Sequence, residues 1–164
     1  MVPPAEQAAA GNTAAEKAAA EKAAAEQVVA ERAVAALTAA DAAARTLGIE
    51  VLEVGPGRVA LSMRVREDML NGHGTCHGGI LFALADTAFA FACNSQGEAR
   101  VAAGASIEFV APARAGEVLI ARAQETSRGA RHGLYDVAIV VASSGEARAF
   151  FRGRCARLRG APTA

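Results

Sequence analysis

The chain has no tryptophan and one tyrosine, and aromatics make up 4% of its 164 residues. Its hydrophobic fraction of 52% is therefore carried largely by alanine. It has no excess charge of either sign: 17 Lys and Arg balance 17 Asp and Glu, so nothing in the overall balance points to nucleic acid or a membrane surface. No continuous apolar run approaches the roughly 20 residues that a spanning helix needs. The start, MVPPAEQAAAGN, lacks the basic-then-apolar pattern of a secretory signal. Three cysteines, Cys76, Cys93 and Cys155, are an odd number without the spacing of a disulfide scaffold. They read as reduced thiols, and the expected compartment is the cytoplasm. The length suits one ordinary domain with a core and is short for two.

What is present divides sharply near residue 47. Ahead of it, TAAEKAAAEKAAAEQVVAERAVAALTAADAAARTL places Glu16, Glu21, Glu26 and Glu31 at every fifth position. Alanine favours helix, and Lys17–Glu21 and Lys22–Glu26 have the spacing of helix-surface pairs. A five-residue period advances about 140° per repeat on a helix, so the charges spiral and leave no apolar stripe. Residues 1–46 thus read as an Ala/Glu/Lys-rich helical extension, similar to semi-rigid helical spacers and either a solvated arm or a partner-binding one. The apolar content rises from Val28 to Leu47 (Val28, Val29, Val34, Leu37), so the end of the arm is expected to dock on the domain at 47–160.

Beyond Leu47-Gly48 the period switches to two. In RVALSMRVR, Val59, Leu61, Met63 and Val65 alternate with Arg58, Ala60, Ser62 and Arg64, the mark of a half-buried strand. EVGPG before it is turn chemistry and implies a hairpin with IEVLEV. Four more strand-like runs follow, RVAAGASIEFVA, EVLIARAQET, LYDVAIVVAS and EARAFFRGRCARL, separated by the turn-like PARAG, SRGARHG and SSGE. Between hairpin and later strands, residues 78–94 form one helix that is apolar on every side. The order implies an α+β layout in which an antiparallel sheet covers one helix. One helix cannot cover a whole sheet face, so self-association is expected.

The candidate chemistry lies in NGHGTCHGGILFALADTAFAFACNS, where a polar loop enters that helix. The first N–H groups of a helix lack internal partners and sit at its positive end. Gly78-Gly79 there either lets an anionic or carbonyl oxygen approach these groups or merely permits a tight turn. Asp86, the one charge in the helix, loses hydration and must find partners or shift its pKa. It reads either as a buried carboxylate satisfied at a subunit contact or as a base or nucleophile tuned by dry surroundings. Gly78 and Asp86 are eight residues apart, about 12 Å along a helix. A base and an oxyanion donor for one carbonyl must both come within about 3 Å of it. If both act, they come from different chains. His73, Cys76 and His77 spell H-x-x-C-H, but a fourth metal ligand is not evident and no metal is expected. Cys76 beside His77 hints at a nucleophile, although adjacent residues of an extended loop point opposite ways. Asn71 offers one acceptor and two donors for a substrate or for the loop itself.

The stretch LNGHGTCHGGILFALADTAFAFACNSQG resembles the hotdog-fold acyl-CoA thioesterases, in particular their phenylacetic-acid-degradation (PaaI-type) branch. The resemblance runs from Leu47-Gly48-Ile49 to FRGRCARL and leaves out the Ala-rich arm. It implies an antiparallel sheet wrapped around the central helix, in homodimers that pair into homotetramers. It also implies hydrolysis of phenylacetyl-CoA or a ring-hydroxylated relative without a cofactor. On that resemblance Asp86 is the catalytic carboxylate, the Gly78 N–H polarises the thioester carbonyl, and Asn71 and His77 assist orientation. Gly79 and Thr87 would contact substrate, although the Thr87 hydroxyl has the alternative of bonding back to its own helix. Arg128, Arg131 and His132 in SRGARHG read either as solvated turn residues or as contacts for the coenzyme A phosphates at a subunit edge. A hydroxyacyl-thioester dehydratase using His77 and Asp86 is a rival, disfavoured by the LADTAFAF context. A non-catalytic CoA-ester sensor is another, but the arm shows neither a helix-turn-helix break nor a basic cluster.

Overall fold

The computed structural model describes the backbone of residues 4–158 and the side chains from residue 14 onward, so the ends of the two expected segments, 1–3 and 159–160, lie outside the described residues. Helix α1 (Pro4–Ala40) realises the alanine-rich arm, and its expected surface pairs form: Lys17–Glu21 at 3.9 Å and Lys22–Glu26 at 3.8 Å. Exposed pairs of this kind contribute only about 0.3–0.5 kcal/mol each. The arm docks by its last third, as expected, but through other residues. Ala30 and Val34 are buried and Leu37 packs on the core, whereas Val28 and Val29 stay 45% and 41% exposed. Gln27 fixes the docking point by donating to the Val54 carbonyl at 2.8 Å. Asp41 then breaks the helix and caps α2 (Ala42–Leu47), accepting from the Ala44 N–H at 2.9 Å. Gly48 ends α2 with φ of 68°, a left-handed conformation that glycine adopts without steric cost.

Six strands follow: β1 (Glu50–Gly55), β2 (Arg58–Arg64), β3 (Arg100–Phe109), β4 (Val118–Arg128), β5 (His132–Val141) and β6 (Ala147–Arg157). They form one antiparallel sheet in the order β1-β2-β4-β5-β6-β3. The period-two segments all become strands, but chain order is not sheet order. β3 does not pair with β4; it crosses to the far edge and pairs only with β6, leaving its other side without a strand among the described residues. The outward face of β2 is also drier than alternation implies, because Ala60 and Ser62 are buried with Val59, Leu61 and Met63. Ala60 lies between Glu53 on β1 and Arg122 on β4, and those two charges pair above it at 3.7 Å.

Helix α3 (Gly78–Asn94) sits in the concave face of this sheet, with the bounds that its apolar run implies. Leu84, Ala85, Ala88, Phe89 and Ala92 are fully buried against inward residues such as Leu119, Tyr135, Val137 and Ile139. Full burial of a side chain such as Phe89 is worth about 1.5–3 kcal/mol. The helix can sink this far because β6 offers Gly153, where an added Cβ would meet the Phe89 ring at 2.8 Å. Beyond its C-terminus, Asn94 grips the start of β3, donating to the Arg100 carbonyl at 3.0 Å and accepting from its N–H at 2.8 Å. A second anchor is Arg148, 8% exposed, which bonds Glu117 at 2.9 Å and holds that carboxyl below its ordinary range.

Gly153→Ala is expected to cost about 1–3 kcal/mol through overpacking against Phe89. Thermal unfolding checks this, and an unchanged Tm would show that α3 has room to retreat from the sheet.

Candidate active site

The loop ahead of α3 is built to present the helix tip. A bridge between Leu70 and Cys76 closes it, and Gly74, with φ of 70°, turns its tip. Asn71 is consumed inside this loop. Its side-chain oxygen accepts from the His73 N–H at 2.9 Å and the Thr75 N–H at 3.3 Å, and its amide nitrogen donates to the Thr75 hydroxyl at 3.1 Å. Cys76 is buried, and burial pushes its thiol up to about 11, which leaves little thiolate for nucleophilic work near neutrality. No group of three or more His, Cys, Asp or Glu converges as a metal site among the described residues.

His77 is the N-cap of α3. Its Nδ1 accepts from the Gly79 N–H at 2.9 Å, and its carbonyl accepts from Ile80 at 2.9 Å and Leu81 at 3.3 Å. With Nδ1 accepting, the ring proton of a neutral imidazole lies on Nε2, and the residue as a whole is exposed. Within the chain the Gly79 N–H is thus engaged by the cap, and His77 closes the first turn of the helix. The Gly78 N–H, by contrast, has no acceptor among the described residues. An added Cβ at Gly78 would lie 3.0 Å from Phe109 Cζ, so the ring of that β3 residue rests on the helix tip.

Down the helix, Phe82, Ala83, Asp86, Thr87 and Ala90 escape full burial and form one stripe that the sheet does not cover. Asp86 sits half-buried in the middle of it. No donor reaches its carboxylate among the described residues, and burial raises its pKa above the ordinary 3.8. The carboxylate is therefore desolvated without compensation, a state that favours taking up a proton. The Thr87 hydroxyl likewise has no partner among the described residues and does not bond back to the helix. Phe82, one turn before Asp86, is 36% exposed and packs edge-on against Phe151, the ring centroids 5.4 Å apart. A reading based on polar motifs passes over Phe82 and Phe109. The i, i+4 spacing of Phe82 and Asp86 marks the first, and nothing local in the chain marks the second.

α3 is unbroken from Gly78 to Asn94, so the free amide and the free carboxylate stay about 12 Å apart within one chain. An amide aimed outward at a helix N-terminus and an unpaired acid are the two elements that hydrolysis of an activated carbonyl requires. The thioesterase superfamily pattern matches residues 73–147. The acyl-coenzyme A thioesterase PaaI of Escherichia coli K12 is 46% identical over 128 residues, spanning 78% of this chain and 91% of that protein. The chain belongs to the hotdog-fold acyl-CoA thioesterases. The solved structure of the E. coli PaaI protein from the phenylacetic acid degradation operon superimposes on this thioesterase with a TM-score of 0.80. There the identity is 44%, covering 82% of this chain and 96% of that one. A single-site mutant of the phenylacetic acid degradation protein PaaI from Thermus thermophilus gives a TM-score of 0.69 at 40% identity, over 72% of this thioesterase and all (100%) of that chain.

The arginines of the β4–β5 turn divide. Arg128 is engaged within the thioesterase, pairing with Glu98 at 2.8 Å and Glu125 at 3.4 Å, while the Tyr135 hydroxyl donates to Glu125 at 2.6 Å. Glu98 also receives the buried Arg100 at 2.8 Å, and these bonds hold its carboxyl below the usual range. This network lies beyond Asn94, about 24 Å of helix away from Gly78. A phosphate reaching Arg128 would compete with Glu98 for its guanidinium. Arg131 is exposed and makes no ion pair among the described residues.

Asp86 gives a stability prediction whose sign follows from its raised pKa. Its carboxyl ionises near 3.8 when unfolded and at higher pH when folded, so folding stability falls as pH rises through that interval and stays reduced at neutrality. Asp86→Asn removes the penalty. Its Tm at pH 7 is expected to equal or exceed that of the parent, with the advantage lost in acid; a lower Tm at pH 7 would reveal a partner for the carboxylate.

Proposed function

We propose that this acyl-CoA thioesterase hydrolyses phenylacetyl-CoA or a ring-hydroxylated phenylacetyl-CoA, in a site shared between two copies of the chain. The observation that carries the proposal is the pairing of unsatisfied groups on one rigid helix: the Gly78 amide at its tip and the Asp86 carboxylate two turns on. Because they lie about 12 Å apart, the carbonyl held by Gly78 of one subunit faces Asp86 of the other. The long edge of β3 supports such an arrangement. Its ten residues, Arg100–Phe109, pair on one side alone among the described residues, Val101 is 46% accessible, and a free edge of this length invites pairing with a second copy. Homodimers built on that edge and paired into homotetramers, working in the cytoplasm on three reduced cysteines, complete the proposal.

In this mechanism the Gly78 N–H donates to the thioester oxygen, and the bond strengthens as that oxygen becomes an oxyanion. Asp86, kept basic by its dry setting, takes a proton from a water as the water oxygen attacks the carbonyl carbon. The tetrahedral intermediate collapses with cleavage of the C–S bond and departure of the coenzyme A thiolate, leaving the free acid. Thr87, beside the acid with a free hydroxyl, is placed to bond the attacking water. His77 and Asn71 act as positioning residues, one capping the helix so that Gly78 keeps its N–H outward, the other fixing the loop. Arg131 remains available for the phosphates of coenzyme A. The aryl-acetyl preference draws support from the E. coli relative of the phenylacetic acid degradation operon.

Release of free thiol from phenylacetyl-CoA is the deciding assay, since a dehydratase or a sensor would release none. Asp86→Asn is expected to lower kcat by about 10²–10⁴. Gly78→Pro deletes the amide proton at a helix position that tolerates proline, after a residue already extended at ψ of 133°, and its Cβ requires the Phe109 ring tip to shift by a few tenths of an ångström. It is expected to lower kcat by about 10²–10³. Near-parental turnover by either variant would remove that group from the chemistry.

A further inference from the structure

Two phenylalanine rings flank the proposed chemistry without being required by the fold. Phe109 lies at the end of β3, opposite Ala149 on β6, and points to the concave side of the sheet, yet it remains 53% exposed. Its ring rests on Gly78, its tip carbon 3.0 Å from where a Cβ would stand, so it forms a wall directly beside the free amide. Phe82 occupies the uncovered stripe of α3 one turn before Asp86. It is 36% exposed, and Phe151 holds it edge-on at 5.4 Å and 72°. Most other large apolar side chains of the helix, Leu81, Leu84, Phe89 and Phe91, are buried in the core. An exposed ring held in one orientation costs water contact and little further entropy when an apolar group covers it.

We infer that Phe109 and Phe82 are the specificity-determining walls of the acyl pocket and that they select an aromatic acyl group over a straight-chain one. This rests on the composite site proposed above. In that site the Phe109 ring stands beside the amide of one subunit, and the Phe82 ring stands one turn from the acid of the other. A thioester carbonyl between amide and acid places its acyl group against both rings. A phenyl group one methylene away from the carbonyl gains offset or edge-to-face contacts that an alkyl chain cannot make. Each such contact corresponds to roughly a 2- to 10-fold preference.

Leucine at these positions keeps an apolar side chain of similar bulk and removes the ring. Phe109→Leu, Phe82→Leu and the parent are compared for thiol release from phenylacetyl-CoA and from hexanoyl-CoA. The inference predicts that each substitution lowers the aryl-to-alkyl ratio of kcat/KM by roughly 2- to 10-fold. A ratio equal to the parent's in active variants overturns it, because the rings then do not touch the acyl group. An equal loss on both substrates also overturns it, since that is the signature of a ring that only braces the helix tip. If the parent hydrolyses neither thioester, or Asp86→Asn retains full turnover on both, the underlying reading fails and the inference falls with it; a failure confined to the ratio leaves that reading standing.

Discussion

The stiffness of one α-helix governs everything else in this molecule. An unbroken helix fixes the distance between its first amide and a carboxylate eight residues later at about 12 Å, and no side-chain rotation closes that gap. Two groups that each lack a partner are thereby prevented from serving one carbonyl in one chain. A hinge or a kink between Gly78 and Asp86 would allow a monomeric site. The helix has neither, because its interior from Leu84 to Ala92 is locked against the sheet.

The rest of the fold can be understood as holding that helix still and leaving one stripe of it open. Gly153 lets Phe89 sink into the sheet, His77 closes the first turn, and Asn94 ties the last turn to β3. The α1 arm contributes Ala30 and Val34 to the core, and its described residues from 14 to 26 are exposed. The stripe with Asp86 and Thr87 stays uncompensated among the described residues, which costs stability at the Asp86 carboxylate.

Much of this was legible in the chain, and for identifiable reasons. Alternation marks the strands because each has one dry face; Tyr135, Val137 and Ile139 are buried as their spacing implies. The apolar run delimits α3 because that helix is covered on most sides. Asp86 stands out because it is the one charge in that run. What the chain conceals is pairing at long range. The placement of β3 at the far edge depends on which strand it meets, not on its own pattern. Arg128 looks like a free cation in a turn until Glu98, 30 residues earlier, is brought beside it. Asn71 and His77 look like free polar groups in the chain, but bonds within the loop and the cap engage the Asn71 amide and the His77 Nδ1. Phe109 gains meaning only through its contact with Gly78, across 31 residues of chain.

The most direct test of a shared site is complementation in mixed dimers. Chains carrying Asp86→Asn and chains carrying Gly78→Pro, each inactive alone, are unfolded together, refolded at equal concentration, and assayed for thiol release. In a mixed dimer one of the two sites unites an intact Gly78 amide with an intact Asp86 from the other subunit. The account predicts recovery of about one quarter of parental activity, the share expected when half of the dimers are mixed and half of their sites are whole. Mixtures as inactive as their components, although mixed dimers form, would place both groups in a single chain and contradict the account.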